Sequence, residues 1–135
     1  MTASNSTALL QSPYGTFDLA RYPSKAKEAL LAWCAADTLL LEEVYQRGIP
    51  GSAILVVNDA HGALCVALQP QALWTDSALA AIALGYNAHA NKRTETPVVW
   101  STQTPDVTAN LVVLRIPKQL PYFEYQLSQL ACHLP

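Results

Sequence analysis

Ala53-Ile54-Leu55-Val56-Val57-Asn58-Asp59-Ala60-His61-Gly62-Ala63-Leu64 is the stretch that decides the fold. Its first half is a short, continuous apolar run with β-branched members. Pro50-Gly51 stands before it and Asn58-Asp59 after it. A run of that kind reads as a strand over 53–58 buried on both faces, as in a parallel sheet. Its second half is a turn with a glycine leading into a short helix over 60–68. The elements on either side repeat the alternation. A strong helix is expected over 24–46, with Leu30, Trp33, Asp37, Leu40 or Leu41 and Val44 on one face, stopped by Gly48 and Pro50. Further strands are expected over 72–75, 98–102 and 111–116. A helix over 77–91 is expected to bury Leu79, Ile82, Ala83, Tyr86 and Ala90, and Asp76 and Ser77 offer its N-cap. A final helix from about Gln119 or Pro121 is expected to bury Leu120, Phe123, Leu127, Leu130 and Leu134.

The order, a helix and then strands alternating with helices, defines an α/β fold. It is a Rossmann-like, mostly parallel sheet of about four strands flanked by helices. Ligands of such sheets bind beyond the carboxyl ends of the strands. Residues 1–12 are small and polar and are expected to fray. Tyr14 to Tyr22 reads as extended, and 13–135 as a single domain. The length, 135 residues, suits one domain with a real core. Apolar residues make up 51% and charged residues 13%, which excludes a disordered chain. A net charge of −2 excludes a strongly basic nucleic-acid module but leaves room for local basic contacts.

No run of about 18 apolar residues is present, so no membrane span is expected. The first twelve residues carry no charged region followed by an apolar core, so no secretory signal is expected and the chain is read as cytoplasmic. Cys34, Cys65 and Cys132 are odd in number and far apart, which reads as free thiols. Neither the cysteines nor His61, His89 and His133 have metal-ligand spacing, so no metal is expected.

A strand, a glycine turn, a helix and a second strand ending in an acid is the outline of a nucleotide-type cofactor site. S-adenosylmethionine-dependent methyltransferases share it. There the first strand ends in an acid, and several glycines follow because the cofactor lies against bare backbone. Aligned on Gly62, the acid falls on Val56, the first glycine on Asn58 and the second on Ala60. Asp59 brings a negative charge to where the cofactor carboxylate would lie, a contact opposed by one to several kcal/mol, roughly. Only Gly62, and Asp76 as a partner for ribose hydroxyls, remain as remnants; a turn glycine and a helix cap are their ordinary readings. The fourth strand is degenerate too. Methyltransferases that act on nucleobase amino groups end it in Asn-Pro-Pro-aromatic, whereas here it reads Arg115-Ile116-Pro117-Lys118-Gln119. No amide accepts a target amine and no ring stacks on a base, so no catalytic residue is assigned.

Ala32-Trp33-Cys34-Ala35-Ala36-Asp37, Leu55 to Leu64, and Ile116-Pro117-Lys118 followed by Gln126-Leu127-Ser128-Gln129-Leu130 resemble the amino-terminal domain of bacterial rRNA guanine-N2 methyltransferases. The likeness covers about 14–135, and Asn-Asp-Ala-x-Gly-Ala-Leu is its most specific part. The resemblance implies two tandem methyltransferase-like domains. The carboxy-terminal one holds S-adenosylmethionine and Asn-Pro-Pro-Phe. The amino-terminal one is a degenerate copy that helps recognise RNA and supports the catalytic half. It further implies that this chain is an incomplete amino-terminal domain, inactive and without cofactor by itself. Its implied partners are 23S rRNA and its own catalytic domain.

Arg115 and Lys118, at the end of the fourth strand, and Lys92 and Arg93, at the end of the preceding long helix, are the candidate RNA phosphate contacts. Ordinary solvated cations are the alternative for each. Two other functions compete with this one. A small protein that binds S-adenosylmethionine through Gly62 and Asp76 would show micromolar binding of it. A scaffold or dimerisation module would fail to run as a clean monomer, since an uncovered last strand is a sticky edge. Asp37 lies on an apolar helix face and is expected to hydrogen-bond a backbone amide or an aromatic donor. The three tryptophans are read as core and rim residues rather than stacking platforms, and no cysteine has a partner that would make it a nucleophile.

Overall fold

The computed structural model describes residues 8–22, 31–105 and 108–133. The apolar run beginning at Ala53 becomes the strand β3, Ile54–Val57, with every residue buried. It lies inside a four-stranded parallel sheet of order β5-β4-β3-β6. The other members are β4, Ala72–Thr75, β5, Val98–Trp100, and β6, Leu111–Leu114. Val56 is level with Leu73 on one side and Val113 on the other. The expected α/β architecture is therefore present, and the strand order reverses between β3 and β6.

Alternation along β3 divides the core. Ile54 and Val56 join the helices α1, Ala35–Arg47, α2, Ala63–Leu68, and α3, Ala78–Ala90, through Leu41, Val44, Leu64 and Leu84. Leu55 and Val57 join Trp74 and Leu130, the latter from α4, Leu120–His133. One face is thus covered by three helices and the other by one.

Residues 8–12 depart from the expected frayed segment. Ala8–Ser12 is the strand β1, paired antiparallel with β2, Gly15–Leu19. Leu10 and Phe17 stand opposite each other and both are buried. The hairpin is held by asparagine side chains on α3. Asn87 Nδ2 donates to Ala20 O at 2.9 Å while its Oδ1 accepts from Ala20 N at 3.0 Å. Asn91, one helical turn on, makes the same exchange with Asp18 at 2.9 and 2.8 Å. An amide presents one donor and one acceptor, as a neighbouring strand would.

The long first helix is shorter at its start than its apolar periodicity suggests. Residues 24–30 lie outside the described residues, and helix begins at Ala35 because Cys34 is extended. Asp37 Oδ2 accepts from Cys34 N at 3.0 Å, closing the first turn. The buried face, Asp37, Leu41 and Val44, is the expected one. In α3 it is not. Leu79, Ile82 and Tyr86 are exposed, and Ala80, Ala83, Leu84, Asn87 and Ala88 face inward. Small side chains let the helix backbone come close to its neighbours. In α4, Leu130 is buried as expected, but Leu120 and Leu127 are exposed and Gln126 takes the inner position. Leu134 lies outside the described residues.

Candidate functional site

The loops that leave β3 and β6 meet at the carboxyl ends of the strands, where the strand order reverses. Each begins with a residue that serves the fold. Asn58 adopts φ of 65° and donates from Nδ2 to Arg115 O at 3.0 Å and to Gln126 Oε1 at 2.8 Å. Gln126 Nε2 returns a bond to Asn58 Oδ1 at 2.9 Å. This pair ties α4 to the β3 loop, across the position where the cofactor pattern needs its first glycine.

Asp59 is turned inward and is 1% exposed. Its Oδ2 accepts from Cys65 N at 3.0 Å, at the start of α2. An amide in the first turn of α2 is thus satisfied by the chain's own carboxylate. Burial raises the Asp59 pKa to about 6, against the opposing pull of the Cys65 amide. Burial also pushes the Cys65 thiol well up, so it is no nucleophile. Cys34, Cys65 and Cys132 are all free thiols.

Gly62 has φ of 90°, and a Cβ there would meet Leu84 Cα at 2.9 Å. This glycine therefore admits the close approach of the α3 backbone. Asp76 does not cap α3. Ser77 does, its side chain accepting from Ala80 N at 3.1 Å. Asp76 is left exposed at the rim of a cavity of about 370 Å³. Asp76 is the exposed carboxylate of this cavity, which Asn58, Asp59, Ser77, Tyr22, Leu79 and Tyr122 also line, with Asn58 and Asp59 already engaged by Gln126 and Cys65.

A second cavity of about 370 Å³ lies on the other side of Ala60 and His61, which line both. Its lining is cationic: Arg21, Arg115 and Lys118, with Trp33 and Cys34. Arg115 is partly committed. Its Nη1 lies 3.3 Å from Asp37 Oδ1, and Nη2 donates to Cys34 Sγ at 3.4 Å. The Arg115 side chain keeps 30% exposure against 1% for Asp37. Asp37 thus has the expected backbone donor and, in addition, an ion pair from 78 positions away. Arg21, which also lines the cleft, donates from Nε to Leu31 O at 2.9 Å. Lys118 is exposed and makes no hydrogen bond or ion pair among the described residues.

The other candidate cations lie elsewhere. Arg93 donates to Val66 O and Ala67 O at 2.9 and 3.0 Å and stacks over Phe17 at 5.1 Å. It satisfies the last carbonyls of α2 and ties that helix to the hairpin. Lys92 is exposed, with φ of 56°. Sequence spacing missed Arg21, which carries no motif and reaches the cleft only through the fold. Among the described residues no group of acidic, histidine and cysteine side chains has the arrangement of a metal site. No described helix is long and apolar enough to cross a membrane.

A parallel sheet whose β3 loop turns Asn58 and Asp59 inward, with a cation-lined cleft at its switch point, defines a Rossmann-like α/β domain. Residues 7–135 match the family model described as the RLMG N-terminal domain, and the chain belongs to that family. It is 35% identical to the ribosomal RNA large subunit methyltransferase G of Shewanella loihica over 121 residues, 84% of this chain and 30% of the relative. It is 39% identical to the protein of the same name from Pseudomonas syringae pv. syringae, over 90% of this chain and 34% of the relative. The Alcanivorax borkumensis protein of that name is 34% identical, over 91% and 35%. The chain thus spans about a third of the length of these curated relatives.

Proposed function

We propose that this domain is the non-catalytic, RNA-positioning amino-terminal part of an S-adenosylmethionine-dependent 23S rRNA guanine-N2 methyltransferase, working in the cytoplasm. The observation that carries the reading is the contrast at the switch point. Asn58 and Asp59 fill the cradle a cofactor would need, while Arg21 and Lys118 keep positive charge in an adjoining cleft. Cations placed so contact phosphates, which fixes register on RNA without reading sequence. S-adenosylmethionine then belongs to the catalytic domain of the full-length parent. Lys92 and Arg93 contribute less, Arg93 because its guanidinium already serves α2.

The test is rRNA binding by the full-length protein over a range of salt, as wild type and with Lys118→Ala and Arg21→Ala. Each lost phosphate contact lowers the salt slope by about one and weakens binding across sequences. Unchanged affinity and slope in both variants refute the reading.

The support for the catalytic half rests on a different observation. Val112, Leu114, Ile116, Phe123 and Leu127 leave an open apolar surface along β6 and α4. In this reading further chain of the same polypeptide covers it, since uncovered edges invite association.

A further inference from the structure

The acidic cavity and the cationic cleft have opposite character and a common wall. Ala60 and His61 line both. On the β6 side, Lys118 lines the cleft while its neighbours Pro117 and Gln119 line the cavity. A ligand that spans this wall needs an anionic end and, within a few bonds, a neutral end rich in hydrogen-bond donors. A simple anion satisfies only the cleft, and a simple cation only the cavity.

Leu79, at the start of α3, is 55% exposed. It stands on the cavity wall with Tyr22, whose ring lies 6.4 Å from that of Tyr86. Tyr22 and Leu79 give the cavity apolar surface on the side of Asp76, whose carboxylate has no capping duty. Each cavity, at about 370 Å³, is of the size that small-ligand sites occupy.

We propose that the two cavities together take one unstacked ribonucleotide of RNA, its phosphate against Arg21, Arg115 and Lys118 and its nucleoside against Asp76, Tyr22 and Leu79. This deepens the RNA-positioning reading and rests on it. Ribose hydroxyls and base N–H groups are the donors that carboxylates accept, and unpaired bases are what proteins splay out and seat on rings. The 2′-hydroxyl gives Asp76 a donor that DNA lacks.

The experiment titrates the full chain with ribonucleoside 5′-monophosphates, their 2′-deoxy forms, the free nucleosides and inorganic phosphate, followed by NMR shifts or calorimetry. The ribonucleoside monophosphates are expected to bind about tenfold or more tighter than either part alone, the value of one charge-assisted hydrogen bond. Asp76→Asn is expected to weaken monophosphates and nucleosides and leave phosphate unchanged. Lys118→Ala is expected to weaken monophosphates and phosphate and leave nucleosides unchanged. Both side chains are exposed, so neither change threatens the fold.

Monophosphates that bind no better than their parts, equal binding of deoxy forms, or indifference to Asp76→Asn each overturn the proposal. If Lys118→Ala still lowers rRNA affinity in the full-length protein, the phosphate cleft stands and only the nucleotide site falls. If neither variant changes anything, both fall.

Discussion

The loop after β3 and the loop after β6 leave the same end of the sheet, yet they spend their polar groups differently. In the first, Asn58 and Asp59 turn inward, onto α4 and α2, and His61 O accepts from Asn87 at 2.7 Å. In the second, Arg115 divides itself between Asp37 and the cleft, and Lys118 faces solvent. Polar groups at the end of a sheet are either satisfied within the fold or remain available. Buried ones must take the first course, because an unpaired buried polar group is opposed by about 1–3 kcal/mol. Exposed ones are free to be reused.

Changes in the β3 loop therefore reach stability, and the largest effect belongs to Gly62. A Cβ there collides with the Leu84 backbone and suffers the left-handed φ. Gly62→Val is expected to destabilise by about 3 kcal/mol or more, read from a urea midpoint. Retained stability would mean that α3 does not pack as described.

Next come the groups that bridge the two loops. Gln126→Ala leaves Asn58 Oδ1 without its donor, while Nδ2 keeps Arg115 O, and a loss of about 2 kcal/mol is expected. A double-mutant cycle with Asn58→Ala should show coupling, and simple additivity would deny the pair. Arg115→Met strands the Asp37 carboxylate. Breaking a buried pair is worth about 3–5 kcal/mol; with Arg115 30% exposed, about 2 is expected.

Asp59 tests the same contrast through pH. Its pKa in the fold, about 6, lies above the ordinary 3.8. The folded state thus binds the proton more tightly, and ionisation opposes folding. The penalty is absent at low pH, grows between about pH 4 and pH 6, and is complete above. It amounts to roughly 2–3 kcal/mol at pH 7.5. Asp59→Asn should flatten stability across that window, and a variant with the wild-type pH profile would place the titration elsewhere. Lys118→Ala is expected to change stability by less than about 0.5 kcal/mol while reducing the rRNA salt slope.

The sheet was legible because β3 is a continuous β-branched run between Pro50-Gly51 and Asn58-Asp59, and the α1 face because its apolar spacing is regular. The α3 face was not, because counting large apolar residues favours Leu79, Ile82 and Tyr86. The fold instead chose alanines, which admit close packing, and an asparagine that mimics a strand edge. The hairpin was missed for a related reason. Its second anchor is that same Asn87, 67 positions away. At the site, the loss of the glycine cradle was visible in Asn58 and Ala60. That Asp59 would serve α2, and that Arg115 would serve Asp37, depended on contacts no local spacing encodes.

The central claim is that side chains of this domain have taken the place of a methyl-donor cofactor. Calorimetric titration of the chain with S-adenosylmethionine tests it most directly. No saturable heat is expected up to about 1 mM. One-to-one binding at micromolar concentration, lost on Asp76→Asn, would contradict it.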